Sequence, residues 1–151
     1  MSYLENKARL DKAIQEFLDG RGIGRYTDEA HMRSALAAKL RERGFEVEEE
    51  KEVTMADGSI LRPDIIVQMG EGKVLPLELK YDNPSIDEYE EDEEKCERYM
   101  EDFEDVQDAY CIFVSSITHQ DYRADEWQEC EGNSTYHYIW LIPDEDDHLF
   151  L

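Results

Sequence analysis

With 151 residues, 40% of them hydrophobic, the chain is long enough to bury one core without disulfides or a structural metal. Thirty-nine Asp and Glu against sixteen Lys and Arg leave a net charge of −23, which repels polyanions and, taken alone, excludes an ordinary nucleic-acid binder. Three scattered cysteines exclude a disulfide framework, and no apolar run reaches the length of a membrane span.

Two conditions lift the electrostatic exclusion. Molar salt shortens the Debye length to about 3 Å, so the composition points to the cytoplasm of a halophilic archaeon or its virus. Segregated charge is the other condition. From Met1 to Gly44 nine basic residues outnumber seven acids, whereas from Asp82 to Asp105 thirteen acids face only Lys95 and Arg98.

The first predicted element is a helix opened by a Ser2–Glu5 capping box, with Leu4, Ala8, Ile14, Phe17 and Leu18 on its buried side. It stops at Gly20. The Gly20–Arg25 stretch that follows lacks the Lys-Ser/Thr ending of a P-loop and reads as a link, with Arg21 and Arg25 as candidate phosphate contacts. Thr27 is the expected N-cap of a second helix, which runs to Arg43 and is closed by Gly44. Met32, Leu36, Ala37 and Leu40 form its apolar stripe, and Glu29 extends that stripe by helical spacing.

Three strands are predicted next, over Phe45–Met55, Ile60–Met69 and Val74–Lys80, joined by Asp57-Gly58 and Gly70–Lys73 turns into an antiparallel meander. A long helix follows, from the Pro84-Ser85 break to Asp105. Its expected apolar positions are Ile86, Tyr89, Cys96, Tyr99, Met100 and Phe103, and the rest is acid. Ala109–Ser115 reads as a buried strand, the segment around Trp127 as a short helix, and Tyr136–Ile142 as the last strand. The order ααβββαβ(α)β implies a single α/β domain over residues 1–151, with a mixed sheet of about five strands flanked by helices. Residues 1–20 form an accessory helix, 27–115 the core, and 116–151 a short helix, a strand and an acidic tail.

Chemistry concentrates between Ile60 and Lys80. Asp64 follows Pro63 inside an otherwise apolar strand, and proline belongs at strand edges and bulges, so the pair marks a distortion that presents a carboxylate. Glu78 and Lys80 are two apart on the next strand and share a face. Each has a bland reading, Asp64 as a turn acid and Glu78 with Lys80 as a salt-bridged surface pair. Taken together, oxygen ligands from Asp64 and Glu78 with a backbone carbonyl suit Mg²⁺. Such an ion activates water and neutralises phosphate charge, with Lys80 beside it.

Arg62-Pro63-Asp64, thirteen residues, then Glu78-Leu79-Lys80 resembles the PD-(D/E)xK nuclease superfamily, and the resemblance extends from Thr27 to Ser115 in its order of helix, three strands, helix and strand. It implies a three-layer restriction-endonuclease-like core and Mg²⁺-dependent hydrolysis of DNA, with Mn²⁺ as a substitute. Asp64, Glu78 and the Leu79 carbonyl would hold the metal, Lys80 would serve the attacking water, and Glu29 would complete the site. Lys95 and Tyr99 fall at the spacing of a Gln-x-x-x-Tyr pair found on the following helix of RecB-like members, with lysine in place of glutamine. Arg21, Arg25, Arg33, Arg62 and Lys95 are the candidate nucleic-acid contacts. The expected partners are DNA and a second copy of the chain, with no membrane. The competing expectation is a catalytically inactive or DNA-mimicking binding protein on the same fold, working through its acidic helix.

Overall fold

The computed structural model describes residues 1–19, 28–81, 86–116, 126–129 and 135–142. Helix α1 spans Tyr3–Asp19 and α2 spans Glu29–Glu42. Five strands follow: β1 (Val47–Glu49), β2 (Val53–Thr54), β3 (Ile60–Leu61), β4 (Ile65–Gly70) and β5 (Lys73–Tyr81). Then come α3 (Ile86–Asp102), β6 (Ala109–Ser116), β7 (Glu126–Glu129) and β8 (Thr135–Ile142). The fold is α/β, with a mixed six-stranded sheet in the order β1-β4-β5-β6-β8-β7 and a separate β2–β3 ribbon. Strands β1, β4 and β5 pair antiparallel, β5, β6 and β8 pair parallel, and β7 returns antiparallel to β8.

The helix termini follow side-chain chemistry. Ser2 Oγ accepts the Glu5 N–H at 3.1 Å, and Glu5 Oε1 accepts the Ser2 N–H at 3.3 Å, which closes the expected capping box. At α2 the cap is Asp28 rather than Thr27, which lies outside the described residues. The Asp28 carboxylate takes the His31 N–H at 2.8 Å from an extended backbone. Aspartate is as good an N-cap as threonine, so the helix starts one residue later. Gly44 ends it with φ +93, a conformation other residues rarely adopt.

Helices α1 and α2 cover one face of the sheet. Met32, Leu36, Ala37 and Leu40 are all fully buried there, against Leu75, Leu77 and Leu79 of β5. The stripe of α1 differs from expectation. It consists of Tyr3, Leu10, Ala13, Ile14 and Phe17, whereas Leu4 is 74% exposed. Tyr3 is held inward by its hydroxyl donating to the buried Asp108 at 2.7 Å. The opposite face carries a smaller cluster of Met55, Tyr99 and Val106, with Val53, Leu61, Val74, Met100 and Phe103 against it.

Three sequence expectations are corrected. The predicted Phe45–Met55 and Ile60–Met69 strands are each broken in two. Glu50 takes φ +52 and its N–H bonds the Asp64 carbonyl at 3.1 Å, so both strands leave the ladder at the same level. The segment around Trp127 is a strand, not a short helix, over residues 126–129, because Trp127 and its neighbours pair with β8. The sheet thereby gains a sixth strand.

The corrected α1 stripe has a direct test. Leu10→Ala should lower unfolding free energy by about 2–5 kcal/mol, whereas Leu4→Ala should change it by no more than about 0.5 kcal/mol in chemical denaturation.

Candidate active site

The break before β4 creates the site. Ile65 pairs with Leu77 and Val67 with Leu75, so continuing the same register sets Pro63 opposite Leu79. Proline has no N–H to give, and Leu79 therefore receives no ladder donor from it at its carbonyl. The Leu79 N–H donates to the side chain of the next residue, Asp64, at 2.6 Å. Within a strand the N–H and C=O of one residue point the same way, so the Leu79 carbonyl opens toward Asp64.

Glu78 alternates with its leucine neighbours and projects to the α3 side of the sheet. It is buried, and its Oε1 accepts a 2.6 Å hydrogen bond from the Tyr99 hydroxyl. Lys80 follows on the same side, with Nζ 4.0 Å from Asp92 of α3. Glu29, the first residue of α2, stands close enough to feel the charges of Asp64, Lys80 and Asp92. Strand break, strand end and helix start thus bring Glu29, Asp64, Glu78 and Lys80 into one electrostatic cluster.

That cluster is short of positive charge. Burial pushes the Glu29 carboxyl up to about 7, with the neighbouring Asp64 charge adding to it and Lys80 opposing. Asp64 is also raised by burial, against the pull of the Leu79 N–H and a hydrogen bond with Glu78. Glu78 is held well above the usual carboxylate range, first by burial and then by the charge of Asp64. Two carboxyls in contact inside a desolvated site share a proton rather than both ionise.

Asp92 is the residue that sequence reading missed. It is fully buried on α3, and burial pushes its carboxyl up to about 6 against the pull of Lys80 and Lys95. A signal for it existed. Asp92, Cys96 and Tyr99 lie at i, i+4 and i+7, so Asp92 sits on the inward stripe of α3. Cys96 and Cys111 meet behind the site, sulfur to sulfur at 3.0 Å, and burial raises the Cys111 thiol well above its ordinary range.

The other candidates are distributed as follows. Tyr99 touches Glu78, and Lys95 lies 3.7 Å from Asp92. Arg33 is engaged by Glu50 at 3.0 Å and Glu49 at 3.6 Å while its charge also reaches Glu29 and Asp64, and Arg62 pairs with Glu52 at 3.2 Å. Arg21 and Arg25 lie outside the described residues.

In donor chemistry the site suits a hard divalent cation. Asp64, Glu78 and the Leu79 carbonyl offer oxygen only, and their raised pKa values mark carboxylates in need of a counter-charge. Among the described residues no three Asp, Glu, His or Cys side chains stand together at ligand spacing. One oxygen of Asp64 is turned to Leu79 and one of Glu78 to Tyr99, so the pair and the carbonyl are the donors at hand, with Glu29 beside them.

No family model matches the chain, and no curated protein matches it. Among solved structures it is similar to a half-complex from a tetradecameric assembly of Thermococcus gammatolerans McrB AAA+ hexamers with bound McrC. The identity is 15% and the TM-score 0.46, over 78% of this chain and 29% of that one. A crystal structure of a protein of unknown function, AF1548, is similar at 17% identity and a TM-score of 0.40, over 55% of this chain and 45% of the other. The chain spans less than half the length of either, and neither likeness at these values bears on function.

The raised carboxyls set the pH dependence of stability. A carboxyl whose folded pKa exceeds its unfolded one holds its proton more tightly in the fold. For Glu29 the destabilisation from ionising is complete above pH 7 and gone below 4.5, so stability falls as pH rises through that window. Without added metal the melting temperature should therefore rise from pH 8 to pH 5, and Asp64→Asn should raise it at pH 8. Calorimetric scans at the two pH values, with and without 5–10 mM Mg²⁺ (on the order of a weak-site concentration), check this, and Mg²⁺ should flatten the dependence.

Proposed function

We propose that the chain is a metal-dependent nuclease with a restriction-endonuclease-like core, hydrolysing DNA phosphodiester bonds with Mg²⁺ or Mn²⁺. The observation that carries this reading is the convergence of Glu29, Asp64, Glu78 and Lys80 at one strand break, all four named beforehand from a motif spread over fifty residues. Asp64, Glu78 and the Leu79 carbonyl would hold the cation, with Glu29 beside them. When bound, the cation supplies Lewis acidity and offsets the charge that develops on the phosphate.

The chain's own groups do the rest. Lys80 brings a partly exposed ammonium to the carboxylate cluster, where it orients the attacking water and stabilises developing negative charge. Tyr99 fixes the rotamer of Glu78 through its hydroxyl. Helix α3 walls the Glu78 side, so substrate would approach from the side of Glu29 at the start of α2.

Purified full-length protein incubated with supercoiled and linear DNA tests this, with Mg²⁺ or Mn²⁺ and salt from low to molar. The wild type should cleave, and Lys80→Ala and Asp64→Ala should each lose roughly 10²–10³-fold or more in rate. Cleavage that persists undiminished in Asp64→Ala belongs to a contaminant and removes the proposal.

A second reading is favoured by the charge map. Arg33 pairs with Glu49 and Glu50 and Arg62 with the exposed Glu52, while Asp87, Glu90, Glu91 and Glu94 of α3 are exposed. A protein that presents this acidic helix to the basic groove of a partner would need no metal. Titration calorimetry with Mn²⁺ separates the two. The nuclease reading expects binding that Glu78→Ala abolishes, and heat-silent titrations together with no cleavage leave the acidic binding protein.

A further inference from the structure

Among the described side chains of helix α3, Asp87, Glu90, Glu91, Glu94 and Glu101 are exposed, whereas Asp92 is turned inward. Asp92 has no exposed surface, and among the described residues no donor stands within hydrogen-bond distance of either carboxylate oxygen. Its Oδ1 lies 3.7 Å from Lys95 Nζ and 4.0 Å from Lys80 Nζ. It occupies the stripe position above Cys96 and Tyr99, where an apolar side chain would pack against the sheet at no electrostatic cost. A buried carboxylate without hydrogen bonds is among the costlier placements in a fold, and it persists where a cation close by makes use of it.

The nearby groups narrow the choice. Lys95 is on the same helix, three residues on, and half-exposed, so it needs no buried partner to stay in place. Lys80 comes from β5 and reaches toward Glu29, Asp64 and Asp92 at once. Left to the first two alone, its ammonium would fold down onto the carboxylates that the cation and water must use.

We infer that Asp92 is the positioning residue for Lys80, holding its ammonium beside the Asp64–Glu78 pair rather than upon it. The inference rests on the nuclease reading for its consequence, but the pairing itself does not depend on activity. Asp92 touches neither the cation's ligands nor the reacting atoms, and acts through Lys80.

The test uses the full chain carrying Asp92→Asn, Asp92→Glu, Asp92→Leu, Lys80→Met, and Asp92→Asn with Lys80→Met. Asp92→Asn should lower kcat about 10–100-fold, as loss of an outer partner does, with KM for DNA within about twofold. Asp92→Glu should recover part of the loss. Asp92→Leu fills the stripe, so it should melt at or above the wild-type temperature and still be impaired. Full activity in Asp92→Leu would mean that the position serves packing alone, and overturns the inference while leaving the nuclease reading intact. Melting temperatures of the two single variants and the double variant supply the readout independent of catalysis. Their shifts should be less than additive, and additive shifts overturn the inference. Should the wild type cleave no DNA at all, the nuclease reading falls, and the thermal cycle still decides whether Asp92 holds Lys80.

Discussion

One missing hydrogen-bond donor shapes the site. Where the ladder between β4 and β5 would continue to Leu79, the facing residue is a proline, and the ladder stops. Separately, the Leu79 N–H donates to the Asp64 carboxylate at 2.6 Å. Together these pin a carboxylate inside the sheet, leave a backbone carbonyl open beside it, and fix where Glu78 projects. Satisfying the strand's own backbone and assembling the cluster are therefore the same event. A fold that lost the first would lose the second.

The cluster is held against its own repulsion by packing on both sides. Leu75, Leu77 and Leu79 anchor β5 to the α1–α2 layer, while Tyr99 of α3 caps Glu78 from the other. Each carboxylate is desolvated, and burial holds its pKa upward, a cost the fold carries to keep it there. Natural sequences spend stability in this way at working sites more than at structural ones. That asymmetry, and not the motif alone, is what separates this hairpin from an ordinary pair of charged strands.

Much of this was legible in the sequence. The α2 stripe, the capping box and the glycine stop are local, and local signals sufficed. Pro63-Asp64 announced a distortion because proline cannot donate, and the distortion is there. The break at Glu50 was not legible, since the alternation of Val and Glu reads the same across it, and Pro63-Asp64 marks a distortion without showing that the ladder ends there. Hydrophobicity alone favours Leu4 for the buried side, whereas the fold buries Tyr3, whose hydroxyl partner Asp108 lies 105 residues away. Asp92 was hidden by its company. In a run of acids, the one that points inward differs from the others only by its phase with Cys96 and Tyr99.

The short first strand has a consequence for how copies of this chain meet. Strand β1 is three residues long, borders the sheet, and is cut off by the left-handed turn at Glu50. Glu48 is exposed, while Glu49 points to the other face and is held by Arg33 and Arg41 of α2. A border this brief and this charged is a poor template for another chain's backbone, so pairing of copies through it is disfavoured.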